Sequence, residues 1–421
     1  MDIQKIFPIL GFVLFVLAID FYSFQALKTV LPVTGNGRKI AGFIFWGFTI
    51  FSIINFISFR VLGQSQMPRL FLLFTFSTFF IVYFSKIIVV IFLLMEDLTR
   101  LGIFGFSWLK SIGNSDKVLY SPARSAALSK IAMGIAAVPL VSLVYGMVKG
   151  AHKYQIKNIR LNLKNLPSAF EGLKIVQISD VHSGSFYNKE AVMKGIKMIV
   201  DQKPDIVFFT GDLVNNEAVE FEDYLEIFSA IKAPLGIFSV LGNHDYGDYR
   251  NWPTEKDKIQ NLAHLMDLQK RMGWRLLMDE HVKVEKDGES IGIIGIQNWG
   301  AKGRFPKYGN LSKAYKGAEN LPVKLLLSHD PSHWEAQVIE DFSDIDAMFA
   351  GHTHGMQFGI EIPGIKWSPV QYIYKQWAGL YEQNGQQLYV NRGFGFIGYP
   401  GRVGIWPEIS VFTLKKGNPS V

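Results

Sequence analysis

Cysteine is absent from all 421 residues. No disulfide can staple this chain, and no thiolate can bind a metal. Any metal site must use oxygen and imidazole donors, while the redox compartment stays open. Blocks of like charge are also missing. The 43 Lys and Arg against 36 Asp and Glu leave a net charge of +7. That excess is dispersed, so nothing resembles a nucleic-acid-binding arm and no nucleic acid partner is expected. Basic residues flanking membrane segments account for it. Charge is scarce in the first third, which is rich in Phe, Ile and Leu. There is no internal repeat and no low-complexity tract.

The length predicts two parts, 1–150 and 151–421. Four apolar stretches in the first, 6–27, 40–61, 70–94 and 131–148, reach or approach the ~20 residues of helix that cross a bilayer. The first part therefore reads as a four-helix transmembrane region of an integral cell-membrane protein, with the bilayer as a partner. Asp20 and Lys86 interrupt two stretches. Each lies toward one end, so both are expected to reach the interface. The connection Glu96–Lys130 reads as a polar loop whose aromatic patch, Ile103–Leu109, lies on the membrane surface. Its end, Ser121–Lys130, resembles an internal export signal only weakly, because paired arginines are missing. Lys28, Arg38, Lys39, Arg100, Lys110, Lys117, Arg124 and Lys130 fall on one side of the membrane. Lys5, Arg60 and Arg69 fall on the other. Lys149, Lys153, Lys157 and Arg160 begin the long second part, which can translocate despite its charge. Setting them aside puts the second part on the extracytoplasmic side.

From Tyr154 the pattern changes. Leu173–Ser179, Asp205–Thr210 and Ile237–Leu241 read as strands; Lys189–Val200, Tyr224–Ile231 and Lys256–Arg271 read as helices. This alternation implies parallel strands with right-handed crossovers. Val282–Val284, Ile291–Ile296, Lys324–Leu327, Ala347–Phe349, Gln387–Val390 and Ile409–Leu414 then follow as strands. The predicted class is α/β, with a second mixed sheet packed on the first and helices flanking both.

Five clusters close these strands: Asp180-Val181-His182, Gly211-Asp212, Gly242-Asn243-His244-Asp245, Ser328-His329 and Gly351-His352-Thr353-His354-Gly355. Taken singly, a DxH or GD pair is weak evidence, and a lone His is more often structural. Five in order, each after an apolar run, point to one sheet edge where strand ends converge. Asp180 and His182, two apart, would share a strand face, as would His352 and His354. Gly211 permits close backbone approach beside Asp212, whose two carboxylate oxygens could bridge two ions. Asn243 offers a carbonyl oxygen, and His329 an imidazole. His152, His264, His281 and His333 lack such settings and read as structural or surface residues.

The order DxH, GD, GNH(D/E), H and GHxH resembles the calcineurin-like metallophosphoesterase superfamily, and more closely its bacterial membrane-attached branch. The resemblance covers roughly Leu173 to Leu414, including the tail Asn391-Arg392-Gly393-Phe394-Gly395 and Arg402 through Ile409. It implies a two-sheet sandwich covered by helices. It also implies two divalent metal ions (manganese, iron or zinc). Asp180, His182, Asp212 and His354 would hold the first; Asp212, Asn243, His329 and His352 would hold the second. His244 would stand beside the leaving group. One departure is Leu213-Val214-Asn215-Asn216 after Gly211-Asp212, where many relatives carry a charged residue. A contact to substrate or to His244 is expected to differ there.

The reaction so implied is hydrolysis of a phosphomonoester, phosphodiester or pyrophosphate, with His244 giving a proton to the leaving oxygen. Asp245 either orients His244 or caps the next turn. Arg392 and Arg402 are candidate phosphate clamps, because a guanidinium binds oxyanions bidentately; surface charge is the plainer reading. A short linker to the bilayer favours a lipid or glycolipid substrate, of the UDP-diacylglucosamine type or a polyprenyl phosphate. Phe186, Tyr187, Tyr246, Tyr249 and Trp252 could line an acyl or base pocket, or simply pack. A soluble phosphoester, a metal-binding sensor without turnover, and a transport module with an accessory enzyme stay open.

Overall fold

Runs of apolar residues without a polar period form the first four helices: α1 (Ile3–Val30), α2 (Asn36–Leu62), α3 (Arg69–Ser111) and α4 (Ala126–Val148). The computed structural model describes residues 3–31, 36–62, 67–111, 126–303 and 305–419. At about 1.5 Å per residue each helix is long enough to cross a bilayer, and all four are apolar enough. Phe7, Phe43, Val138 and Val141 stay exposed on them, as side chains solvated by lipid do. The chain divides into two units, Met1–Tyr145 and Gly146–Val421.

Two expectations for the first unit change. Helix α3 runs on through the expected loop, so Ile103–Leu109 is helical. Arg100 Nη2 lies 2.6 Å from Glu96 Oε1 one turn away, so these polar residues support the helix rather than end it. Ser121–Ser125, with Arg124, lie outside the described residues. Asp20 and Lys86 do not reach an interface. Lys86 Nζ lies 2.6 Å from Asp20 Oδ1, and Asp20 Oδ2 accepts hydrogen bonds from Thr49 (2.5 Å) and Tyr83 (2.8 Å). The ammonium also sits 4.0 Å from the Phe45 ring centroid. Opposite charges on neighbouring helices satisfy each other, which removes the need to reach water.

The second unit contains β1 (Gln155–Leu163), β2 (Lys174–Ile178), β3 (Ile206–Phe209), β4 (Ile237–Ser239), β5 (Arg275–Leu276), β6 (Glu280–Lys286) and β7 (Glu289–Gly295). It continues with β8 (Lys324–Leu327), β9 (Ala347–Ala350), β10 (Ile360–Ile362), β11 (Ile365–Trp367), β12 (Gly379–Gln383), β13 (Gln386–Val390) and β14 (Glu408–Lys416). One mixed sheet has the order β1-β14-β2-β3-β4-β5, and the other β12-β13-β9-β8-β7-β6. Phe208 and Ile175 from the first sheet meet Phe349, Leu325 and Leu327 from the second in one core. Helices Lys189–Asp201 and Glu255–Arg271 cover the outer face of the first sheet through Val192, Ile196, Leu265 and Leu268. Trp334 and Val338 cover the second. With both faces covered, β3 reads as an unbroken apolar run, Ile206-Val207-Phe208-Phe209.

The expected helix Tyr224–Ile231 shortens to Leu225–Ser229, and another short helix, Val219–Glu222, precedes it. Strand β1 went unforeseen because its residues Gln155-Ile156-Lys157-Asn158-Ile159-Arg160 lack a clean apolar alternation. It is an edge strand, parallel to β14 from Gln155–Glu408 to Leu163–Lys416.

Candidate metal centre

The five clusters follow the carboxyl ends of parallel strands: β2, β3 and β4 in one sheet, β8 and β9 in the other. Strand alternation is not what aims their side chains, contrary to expectation. Asp180 (φ 51°), His182 (φ 47°), Asp212 (φ 59°), His352 (φ 69°) and His354 (φ 50°) all take the left-handed backbone. That conformation is costly for residues with a Cβ and gathers at functional sites. It turns each loop sharply: Asp180 and His182 reach the same group, whereas His352 and His354 part toward different ones. Glycine makes room: a Cβ on Gly351 would lie 2.2 Å from Asp180 Oδ2, and one on Gly242 would lie 2.2 Å from Asp212 Oδ1.

Two groups result. Asp180, His182 and His354 form one, and Asp212, His329 and His352 the other. Asp212 lies between them, its Oδ2 3.5 Å from His182 Nε2 and 3.2 Å from His329 Nε2. Asn243 Oδ1 is 2.9 Å from His352 Nδ1, which is 3.3 Å from His329 Nε2. His354 Nε2 lies 3.3 Å from Asp180 Oδ1. All seven expected ligands thus meet in one place.

The donor set fits divalent cations. Both ring nitrogens of His182, and Nε2 of His354, are buried without a hydrogen-bond partner, a costly state unless something occupies them. Burial holds His182 down at about 3 and His354 well below the usual imidazole range, so both are neutral, the form that ligates. Burial also acts to lower His329, but the carboxylates of Asp212 and Asp180 outweigh it and hold that imidazole up at about 10. Burial, with the charge of Asp212, pushes Asp180 up to about 6 although His329 opposes this. Two buried carboxylates here demand positive charge, which a cation supplies as well as a proton does.

Backbone and neighbouring side chains aim the rings. His329 Nδ1 lies 2.7 Å from the Thr210 carbonyl, leaving Nε2 toward Asp212. His244 Nδ1 lies 2.8 Å from the Asn215 carbonyl. This backbone contact falls within the departure at Leu213–Asn216, where a contact to His244 was expected to differ. Asp245 does not touch the His244 ring. Its carboxylate accepts the backbone N–H groups of Asp212, Leu213, Val214 and Gly242 at 2.8–3.3 Å, tying two ligand loops together.

Arg392 and Arg402, expected to clamp phosphate, have partners within the protein. Arg392 pairs with Glu408 through Nη1 and with Glu361 through Nη2 (2.6 Å). Arg402 is fully buried and donates from Nε (2.9 Å) and Nη2 (2.6 Å) to the Gly395 carbonyl. Buried guanidinium groups need such acceptors, and both find them within the chain; Arg402 Nη2 also lies 3.1 Å from His354 Nδ1. Phe186 and Tyr246 belong to the core, and Tyr187 donates to the Met147 carbonyl. Trp252 donates to the Gly247 carbonyl. Tyr249 alone of these five flanks the centre, its ring centroid 4.6 Å from that of His244.

Two further residues escaped sequence reasoning. Tyr374 Oη lies 2.9 Å from His352 Nε2 and donates to Asp330 Oδ2 at 3.3 Å. Asp330 directly follows His329, which is a weak signal; Tyr374 sits in a remote loop and carries none. Of the histidines read as structural or surface residues, His333 bonds Ser328 and Gln337, His281 the Ala314 carbonyl, and His264 faces Glu222; His152 instead packs its ring against Tyr187 and Phe396 with neither ring nitrogen hydrogen-bonded.

Residues 4–151 match the family described as "Probable Calcineurin-like phosphoesterase, transmembrane domain", and residues 173–356 match "Calcineurin-like phosphoesterase". A transmembrane protein with metallophosphoesterase domain from Danio rerio is 28% identical over 288 residues, 66% of this chain and 61% of that protein. The chain therefore spans about three fifths of that relative. The metallophosphoesterase YkuE of Bacillus subtilis is 29% identical over 280 residues, covering 65% of this chain and 91% of YkuE. UDP-2,3-diacylglucosamine pyrophosphatase LpxG of Chlamydia trachomatis is 27% identical over 310 residues, 62% of this chain and 89% of LpxG. The chain belongs to the calcineurin-like phosphoesterase family, matched in two parts over residues 4–151 and 173–356, and its phosphoesterase domain follows four helices long and apolar enough to cross a membrane.

Proposed function

We propose that this protein uses two divalent ions (manganese, iron or zinc) to hydrolyse a phosphomonoester, phosphodiester or pyrophosphate bond of a lipid or glycolipid. The observation that carries the reading is Asp212 Oδ2, within 3.2–3.5 Å of imidazoles from both ligand groups. Asp180, His182, Asp212 and His354 would hold one ion; Asp212, Asn243, His329 and His352 the other. Such ions supply Lewis acidity, which neutralises charge on phosphoryl oxygens and acidifies water. The chain's own residues do the rest. His244 holds its Nδ1 proton on the Asn215 carbonyl, so its imidazolium form can pass the Nε2 proton to the leaving oxygen and return to the neutral Nδ1–H ring. Asp245 positions the loops bearing Asp212 and Asn243. Lipid-phase substrate is supported by the membrane helices and by the name of the relative LpxG.

Purified full-length protein loaded with manganese is expected to hydrolyse a bis-aryl phosphate. His244→Ala should lower kcat about 10²–10⁴-fold with metal content unchanged. Turnover of that variant equal to wild type would remove the role of His244, and no turnover by wild type with any of the three metals would favour a sensor. Lipidomics of a strain lacking the protein, compared with one carrying Asp180→Ala, should show the same accumulated phospholipid or glycolipid phosphate. A soluble phosphoester accumulating in its place would overturn the lipid assignment.

We further infer that the catalytic domain faces the extracytoplasmic side, on the balance of Lys and Arg between the short loops. A reporter enzyme active only outside the cytoplasm, fused after Val421, should be active. Activity of a cytoplasm-specific reporter at the same position would reverse the orientation.

A further inference from the structure

Strands β10 and β11 pair only with each other, antiparallel, as Ile360–Trp367, Glu361–Lys366 and Ile362–Ile365. Residues opposite each other share a face and neighbours alternate. One face is therefore Glu361 with Lys366, and the other is Ile360, Ile362, Ile365 and Trp367. An amphipathic hairpin on a water-soluble domain packs its apolar face inward. This one does the reverse. Glu361 is held by Arg392 at 2.6 Å, and Lys366 donates to the Ala378 carbonyl, so the charged face is fastened to the domain. Ile360, Ile362 and Ile365 are 48–55% exposed. The same exposed surface continues through Tyr372 and Ile373, with the Trp367 indole N–H donating to Tyr372 Oη at 3.4 Å. A contiguous apolar patch of this kind marks an interaction surface.

What covers it is indicated by where the hairpin is rooted. Phe358 bridges to Val403, Gly359 N donates to the Val403 carbonyl at 2.9 Å, and Val403 N donates to the Gln357 carbonyl at 2.8 Å. On its other side this segment meets Gly146: Arg402 N donates to the Gly146 carbonyl at 3.3 Å, and a Cβ on Gly146 would lie 2.7 Å from Val403 Cγ2. Gly146 belongs to the last turn of α4, where that helix ends. The root of the hairpin is thus fastened to the end of a membrane-spanning helix. Isoleucines with a Trp–Tyr pair are also what the interfacial layer accepts, since aromatic rings with one polar atom sit at headgroup level.

We propose that the outward face of Ile360–Trp367, with Tyr372 and Ile373, inserts into the interfacial layer of the phospholipid bilayer that holds the chain's own helices. Acyl chains near the headgroups cover the isoleucines. The hairpin begins six residues after His354, so this contact sets the lip of the metal centre against the lipid phase.

Because the chain has no native cysteine, a single introduced thiol is unique. Ile362→Cys in the full-length protein is labelled with a small fluorophore and reconstituted into phosphatidylcholine–phosphatidylglycerol vesicles. Met193→Cys, exposed on helix Lys189–Asp201, serves as the reference. Nitroxides on acyl chains, ~5–10 Å below the headgroups where interfacial apolar faces reach, should quench the Ile362 label strongly and the Met193 label weakly; aqueous iodide should show the opposite order. Equal quenching of both labels by either agent would overturn the proposal. So would energy transfer between Ile362 labels on different molecules, with no lipid quenching, which would show a second copy covering the face.

Discussion

Asp212→Asn is expected to strip metal from the centre and to lower phosphoesterase turnover at least ~10³-fold, the equivalent of several kcal/mol of transition-state stabilisation. One carboxylate oxygen faces imidazoles of both groups, at 3.5 Å from His182 and 3.2 Å from His329, and the other accepts the His244 N–H at 2.8 Å. An amide replaces one of those oxygens with a hydrogen-bearing nitrogen, which repels a cation, and removes the negative charge that could serve two ions together. The fold should survive. The side chain keeps its shape, and the clamp on this loop runs from the backbone of residue 212 to the Asp245 carboxylate at 2.9 Å. Elemental analysis of the purified variant, beside turnover of a bis-aryl phosphate, checks both halves. A variant with wild-type metal content and wild-type turnover would remove Asp212 as the shared ligand.

The second large effect lies among the membrane helices. Asp20→Ala should destabilise the protein by about 3–5 kcal/mol, because removing one member of a buried pair leaves an uncompensated charge. Lys86 would then keep aromatic faces, Phe45 at 4.0 Å and Tyr83 at 4.7 Å, but no anion. Thr49 and Tyr83 would lose their shared acceptor, Asp20 Oδ2. The double replacement Asp20→Leu with Lys86→Leu should recover most of that loss, since apolar groups of similar volume often substitute for a buried pair at little cost. Thermal unfolding in one fixed detergent, read for the single and double variants, provides the comparison. If the double variant loses the sum of the two single losses, the charges are not coupled and the pair does not join α1 to α3.

The clustering of the candidate donors was legible because it is set locally. Each ligand cluster directly follows an apolar run, and parallel strands of one sheet must end on the same edge. The four spans were legible because a bilayer accepts few residue types over ~20 positions. Contacts between distant segments were not. Asp20 and Lys86 each look free to reach an interface until α1 and α3 are side by side. Arg392 and Arg402 look like phosphate clamps until Glu408, Glu361 and the Gly395 carbonyl are seen to hold them. Tyr374 has no motif to announce it, yet it touches His352.

The candidate donors and their order, then, can be read along the chain, since donor atoms belong to residue types and strand ends to apolar runs. Only the packed molecule aims those donors: left-handed turns at Asp180, His182, Asp212, His352 and His354 are costly alone and persist because the surrounding loops, glycines and Asp245 hold them. The outward isoleucines of β10 and β11 follow the same logic. Their alternation is visible in the letters, but which face turns inward depends on long-range contacts, Glu361 with Arg392 and Lys366 with the Ala378 carbonyl.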